Sequence, residues 1–290
     1  TPSIVSCATT GSGRKLIGEL VGADIIVNEI TAHYRGAREL VPDVDTIIEI
    51  GGQDSKFIRA TNGMVVDCNM NFVCAAGTGS FIEEQAHRLG YDVRDVGDAV
   101  YGLDALHVSD RCTVFMEQDI NRMLGQGKSR EEALAAVVRA IANNYLTRVV
   151  GPRPITGETI AFMGATARNK GLVAAFEQLT GKKIAVSPHC HVMGAYGAAM
   201  IARDSAARQV PRFRGLNIFQ GQVTISYHEC ADCANHCTIT KASFENGSQA
   251  SWGHMCGREE SSRSVIQKGA SRFMLARTLA GLHERNDRKE

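Results

Sequence analysis

Thiols and glycine-framed polar turns are the parts of this chain that could do chemistry. Cys230, Cys233 and Cys237 stand as Cys-x2-Cys-x3-Cys, and Cys256 follows after a turn. That spacing suits a tetrahedral four-thiolate zinc site and a 4Fe–4S cluster about equally well. His228, His236 and His254 lie close enough in sequence to replace one thiol. Four unligated thiols is the plainer alternative. Cys74 and Cys112 differ, because each precedes a helical pattern, in VCAAGTGSFIEE (73–84) and RCTVFMEQDI (111–120). A helix N-terminus offers free N–H groups and about half a positive charge, which favours a thiolate. An isolated cysteine is otherwise a small buried hydrophobe, the plainer reading of Cys74 and Cys112, and Cys7, Cys68 and Cys190 are read as structural.

Two loops have the makings of a phosphate or nucleotide site. EIGGQDSKF (49–57) ends a buried strand on Gly51 and Gly52, whose backbone N–H groups can approach ligand oxygens. Gln53 and Asp54 then project from the strand end, where ligands collect in open α/β sheets. Either could orient a water or hold Mg2+ through its hydration shell. A hairpin turn with polar decoration would look the same. In FMGATARNKGLVAAFEQLTG (162–181) a strand ends at Gly164, Ala165 continues the turn, and a helix starts near Ala167 with Asn169 and Gly171 in its first turns. Such a turn can receive ribose and adenine, or simply let a helix pack closely on a strand. Gln53 and Asp54 are thus the catalytic candidates. Gly51, Gly52, Gln53, Gly164, Ala165 and Asn169 are the nucleotide-binding ones.

The elements that must position these residues follow from periodicity. VDTIIEI (44–50) predicts a buried strand, and KFIRA and MVVDC flank Asn62-Gly63, the strongest short hairpin signal. Short strands are expected at 4–8 and 24–27 around a helix beginning near Lys15. Helices are expected at about 78–89, 112–125, 130–150, 167–180 and 192–206, with strands at 159–163 and 183–187. This is an α/β layout. Composition shifts after residue 208, and four segments are expected: 1–207 as the main domain, 208–220 as a linker, 221–262 as a small β-rich cysteine knuckle, and 263–290 as a charged helical tail. Trp252 is expected to anchor the small core.

The 290 residues carry 32 basic and 31 acidic side chains. That balance gives no reason to expect nucleic acid or a membrane surface as a partner. No apolar run reaches the ~18 residues of a membrane span. No secretory leader is read, so a cytoplasmic location is expected, and the nine cysteines point to metal or redox use rather than disulfides.

The motifs EITAHYRGA, EIGGQDSKF, NFVCAAGTGSFIEE, RCTVFMEQDI and MGATARNKGLVAAFEQ occur here in the order in which they occur in activators of 2-hydroxyacyl-CoA dehydratases and in benzoyl-CoA reductase ATPase subunits. The chain resembles that BadF/BadG/BcrA/BcrD-type family over about residues 1–205. The resemblance implies the ribonuclease H-like fold of the acetate and sugar kinase/Hsp70/actin superfamily, here lacking its N-terminal part. The family's Asp-x-Gly-Ser-Thr-type first phosphate hairpin is missing, so a fragment of a large multidomain member is expected, one unable to hydrolyse ATP alone. His33 and Glu29 in the first motif are read as structural or interdomain residues.

The resemblance also implies roles. Cys74 and Cys112 match the family cysteines that share one 4Fe–4S cluster between two protomers, or between two halves of a pseudo-dimer. ATP/ADP with Mg2+ drives the switch. The electron comes from a donor such as ferredoxin or flavodoxin and goes to a 2-hydroxyacyl-CoA dehydratase or related CoA-thioester reductase. Cys230, Cys233, Cys237 and Cys256 would then hold a second 4Fe–4S cluster or Zn2+. Two alternatives stay open: a non-catalytic scaffold module with structural zinc, and a kinase of the same superfamily, which would have no use for Cys74 and Cys112.

Overall fold

A computed structural model describes residues 4–71, 75–110, 112–205, 212–215, 222–231, 236–245, 247 and 249–253. The chain divides into two compact units, one formed by residues 1–26 with 209–290 and the other by residues 27–208. This division differs from the expected one, in which residues 1–26 belong with the main domain 1–207 and the segments 208–220, 221–262 and 263–290 stand apart from it.

In the first unit, β1 (Ala8–Thr9), α1 (Arg14–Val21) and β2 (Ile25–Ile26) follow one another, and β1 pairs with β2 in parallel. The expected strand at 4–8 contracts to these two residues. The apolar stripe of α1 decides where the segment belongs, because Leu16 and Leu20 pack against Ala242, Phe244 and Trp252. Helix α1 ends at Gly22, whose φ of 67° is the left-handed conformation that favours glycine at a helix C-terminus.

The second unit is built on α2 (Glu29–Leu40), β3 (Thr46–Ile50), β4 (Ser55–Thr61), β5 (Met64–Asn71), α3 (Gly79–Leu89), α4 (Val96–Val100), α5 (Thr113–Gly125), α6 (Arg130–Asn144), β6 (Thr159–Met163), α7 (Lys170–Thr180), β7 (Lys183–Val186) and α8 (Met193–Ser205). The strands form one sheet in the order β5-β4-β3-β6-β7. Strands β3, β4 and β5 are antiparallel, while β6 and β7 join parallel to β3. The β4–β5 loop is the expected Asn62-Gly63, with φ of 51° and 80°, the two positive values a type I′ turn requires.

Strand β3 is buried throughout and alternates between two faces. Ile48 and Ile50 enter a core with Phe57, Phe81, Ile82, Tyr145, Phe162 and Phe176, in which Phe176 meets Phe162 and Tyr145 edge to face. Ile47 packs with Tyr34 and Ala37 of α2 and with Met193 on the opposite face. Helices α2 and α8 touch at Gly36 and Gly197, where a Cβ on Gly197 would lie 1.8 Å from the Ala32 carbonyl oxygen. The helical pattern expected over 130–150 is α6 followed by a π-helical turn, Tyr145–Val150.

The remaining strands of the first unit, β8 (Val223–Glu229), β9 (Thr238–Phe244) and β10 (Gln249–Trp252), form an antiparallel sheet in the order β10-β9-β8. Trp252 contributes to its core, as expected. The expected tail at 263–290 lies outside the described residues.

Candidate functional site

Three segments converge where the parallel strands β3 and β6 end. The loop after β3 closes on itself as the Gly51 N–H donates to the Asp54 carbonyl at 2.9 Å. The start of α3 docks on this loop, with Gly79 N–H donating to the Gly51 carbonyl and Ser80 N–H to the Gly52 carbonyl, both at 2.9 Å. The turn after β6 closes the third side, where the Thr166 hydroxyl donates to the Ile50 carbonyl at 2.7 Å. Glycine is obligatory at two of these junctions. Gly164 has φ of 91°, and a Cβ on it would lie 2.1 Å from the Ile50 oxygen. A Cβ on Gly79 would lie 2.7 Å from Thr166 Cγ2.

The three segments enclose a cavity of about 440 Å3, within the size range of small-molecule sites. Gly52, Gly79, Ala165 and Asn169 line it, with Ile82 and Val93 as apolar walls and Glu83, Arg94 and Arg168 as charged ones. Asn169 is only 8% exposed. Its Oδ1 caps α7 by accepting from Leu172 N–H at 3.0 Å, while its Nδ2 has no partner among the described residues. A buried donor normally has an acceptor, and this one borders the cavity. Of the sequence candidates, Gly52, Ala165 and Asn169 line the cavity. Gly51 and Gly164 shape its backbone frame, and Gln53 is exposed.

Asp54 belongs to a charge cluster that the sequence reading missed. Lys56, 3% exposed, lies opposite Glu49 in the β3–β4 register. Its Nζ stands 2.8 Å from Asp54, 3.0 Å from Glu49 and 3.7 Å from Glu29. Burial disfavours the Lys56 charge, but the carboxylates outweigh it and hold its pKa above the ordinary value. Burial pushes Glu49 up to about 7, against the downward pull of Lys56. Burial, then the Lys56 charge, takes His33 down to about 4. The signal that could have exposed the cluster is a lysine at the start of a strand, one short loop after a glutamate near the end of the facing strand.

The Cys112 side is built differently. Cys112 is the N-cap of α5, in extended conformation, and its thiol makes no capping hydrogen bond. The next residues but one, Val114 and Phe115, are 59% and 57% exposed. Asp110 is gripped by the amides of Asn143 and Asn144, and Ser109 N–H donates to Asp119 Oδ2 at 2.8 Å. Cys74, Cys233 and Cys256 lie outside the described residues. Cys230 and Cys237 flank the connection between β8 and β9, just past the last paired residues, with Cys230 N–H donating to the Cys237 carbonyl at 2.8 Å. Among the described residues, no three His, Cys, Asp or Glu side chains are grouped to hold a metal ion. None of the described helices is long and apolar enough to cross a membrane.

The model of the BadF/BadG/BcrA/BcrD ATPase family matches residues 3–202. The (R)-2-hydroxyglutaryl-CoA dehydratase activating ATPase of Acidaminococcus fermentans is 34% identical over 202 residues, 69% of this chain and 75% of the relative. The 2-hydroxyisocaproyl-CoA dehydratase activator of Clostridioides difficile is 31% identical over 207 residues, 70% of this chain and 75% of the relative. A benzoyl-CoA reductase subunit of Thauera aromatica is 30% identical over 205 residues, 67% of this chain and 69% of the relative. The crystal structure of the A. fermentans (R)-2-hydroxyglutaryl-CoA dehydratase component A superposes with a TM-score of 0.65 at 33% identity, covering 71% of this chain and 78% of that one. The C. difficile activator with bound ADPNP gives the same TM-score at 30% identity, covering 71% of this chain and 75% of that one. The fold is accordingly the actin/Hsp70/sugar kinase-like ATPase fold expected from the motifs.

Proposed function

The chain belongs to the BadF/BadG/BcrA/BcrD ATPase family, and we propose that it is an ATP-dependent activator of a 2-hydroxyacyl-CoA dehydratase or related CoA-thioester reductase. The observation that carries this reading is the cavity at the β3 and β6 ends, framed by glycines and holding an unpaired buried donor on Asn169. In this reading the backbone N–H groups of Gly52 and Gln53 receive the phosphates of ATP, and Gly51, whose N–H is held by the Asp54 carbonyl, shapes the loop for them. Gly164, Ala165 and Asn169 receive the nucleoside. Asp54, steadied by Lys56, orients Mg2+ and its waters with Gln53. Preorganised charge of this kind is the main service a protein gives phosphoryl transfer.

Cys74 and Cys112 would hold one 4Fe–4S cluster with the same two residues of a second copy or half. The described part of the donor set fits. The Cys112 thiol is not engaged in capping, stands at a helix N-terminus and is flanked by exposed Val114 and Phe115. A bound cluster would supply one electron at low potential, taken from a donor such as ferredoxin or flavodoxin. The chain's own part is to hold the thiolates at the helix mouths and to couple their setting to the nucleotide. Cys230, Cys233, Cys237 and Cys256 would hold a second 4Fe–4S cluster or Zn2+.

Two measurements test this. Calorimetric titration with ADPNP and Mg2+ should show one site on the wild-type chain and none on Gly52→Val. A Cβ at Gly52 meets nothing within 4 Å, so this variant keeps its fold and fills the cavity only. Iron and acid-labile sulfide on anaerobically prepared protein should fall in Cys112→Ser by about two irons per chain, the share of a cluster held by two chains, from about two to none where the C-terminal thiols hold zinc and from about six to about four where they hold a second cluster. Zinc without iron, unchanged by that substitution, would overturn the electron-transfer role and leave a scaffold.

A further inference from the structure

The end of α6 stands out as the place where otherwise separate parts of the second unit are tied together. Asn144 is 2% exposed, and its amide donates to the Asp110 carbonyl, while the neighbouring Asn143 amide donates to the Asp110 carboxylate. Both bonds fix the segment two residues before Cys112. The Asn144 Oδ1 also lies 3.0 Å from where a Cβ on Gly77 would sit, so it abuts the turn that leads into α3. The next residue, Tyr145, is fully buried and donates its hydroxyl to the Lys56 carbonyl at 2.7 Å. Lys56 is the residue whose ammonium holds Asp54 of the strand-end loop. One residue pair, Asn144 and Tyr145, therefore joins the Cys112 segment on one side to the nucleotide loop's own strand on the other.

The backbone at this junction is unusual in the way a movable joint would be. Helix α6 is α-helical through Asn144 and continues as a π-helical turn over Tyr145–Val150. A π turn carries one residue more than an α turn, and such turns concentrate at functional sites. Shifting its register by one residue rotates the chain beyond the turn by about 100° against the helix before it. Asn144 lies on one side of that change and Tyr145 on the other. The π turn is also pinned to β5, since Asn69 Nδ2 donates to the Val149 carbonyl at 2.8 Å.

We propose that the Asn144–Tyr145 junction is the positioning joint that links the strand-end loop to the segment bearing Cys112. This rests on the nucleotide reading of the cavity. It assigns no contact with nucleotide or metal to either residue. Asn144 sets the Cys112 segment by gripping Asp110 and abutting Gly77, and Tyr145 reports the position of β4 to it through one buried hydrogen bond. Coupling between sites requires an element with two arrangements that both sites bias, and the change from α to π register supplies one.

The test uses the full chain prepared free of metal, with iodoacetamide alkylation followed at Cys112 by peptide mass spectrometry and exposed Cys68 as the internal control. In the wild type, ADPNP with Mg2+ should change the Cys112 rate about five-fold or more, the lower range of allosteric coupling, with Cys68 unchanged. Tyr145→Phe keeps the ring packing and removes only the hydroxyl. It should bind ADPNP with wild-type affinity and show less than about a two-fold response at Cys112. Asn144→Leu should raise the nucleotide-free rate at Cys112 alone. A full ADPNP response in Tyr145→Phe, or an unchanged nucleotide-free rate in Asn144→Leu, would overturn the joint. Failure of the underlying reading looks different: calorimetry would then show no ADPNP binding to the wild type at all, and the Asn144→Leu rate would still decide whether the clasp holds Cys112.

Discussion

The strand-end loop and the mouth of α5 sit in the same unit and are built on opposite principles. At the strand ends the charged groups are committed to one another. Lys56 is shared among Asp54, Glu49 and Glu29, and the backbone approaches so closely that Gly79 and Gly164 cannot carry a Cβ. At the mouth of α5 the helix N-terminus is left without a side-chain cap, its thiol is uncommitted, and Val114 and Phe115 face solvent. The first arrangement fixes geometry before a ligand arrives, which is what charge stabilisation at a phosphate requires. The second forgoes local stability and keeps donors and apolar surface for something outside the chain. The contrast predicts that substitutions will be costly for folding at one end and nearly free at the other.

The largest effect should come from Lys56→Met. It leaves Glu49 and Asp54 without their counter-charge in a buried site, and breaking a buried pair from one side costs about 3–5 kcal/mol. Urea unfolding should show that loss, and Lys56→Met with Glu49→Gln should recover most of it. If the single substitution cost no more than a surface change, the strand-end cluster would be as open as the α5 mouth and the contrast would fail.

A pH series sharpens the same point. The Glu49 pKa rises in the fold from 4.5 to about 7, so the fold favours the protonated acid. Its contribution is complete below pH 4.5 and is lost as pH rises through 7. The His33 pKa falls from 6.5 to about 4, so the fold favours the neutral ring. That contribution is complete above pH 6.5 and is lost as pH falls through 4. Each spans roughly 3 kcal/mol at 1.36 kcal/mol per unit, and between pH 4.5 and 6.5 their slopes oppose. Lys56, Asp54 and Glu29 face the same space. Glu49→Gln should therefore unmask stability that rises with pH over that window, and His33→Gln stability that falls. Urea midpoints at half-unit intervals decide it, and parallel curves for the three proteins would show that neither group is perturbed.

Legibility in the sequence divides along the same line. Backbone geometry is readable because few residues satisfy it. Asn62-Gly63 announces its turn, and Gly51 and Gly164 announce close approaches at strand ends. Pairings across strands are not, because Glu49 and Lys56 meet only once the β3–β4 register is set, and a lone lysine reads as a solvated one. Glu29 and His33, read as structural, face that lysine from α2. The π turn stays hidden because its side chains continue the helical spacing of α6. Motif order groups residues 1–26 with the main domain, while the stripe on α1 packs them with Phe244 and Trp252.

The smallest effect concerns Cys112 itself. Its thiol caps nothing in α5, although its backbone is in the extended conformation an N-cap adopts. Serine in that conformation accepts from the N–H groups of the first turn, and a good cap is worth about 0.5–2 kcal/mol. Cys112→Ser should thus raise the stability of the metal-free chain by a few tenths to about 1 kcal/mol. The same substitution should remove iron from the anaerobic protein. A gain in stability together with a loss of metal separates a residue kept for its ligand from one kept for its fold. A loss of stability in the metal-free chain would place Cys112 with the committed residues of the strand ends.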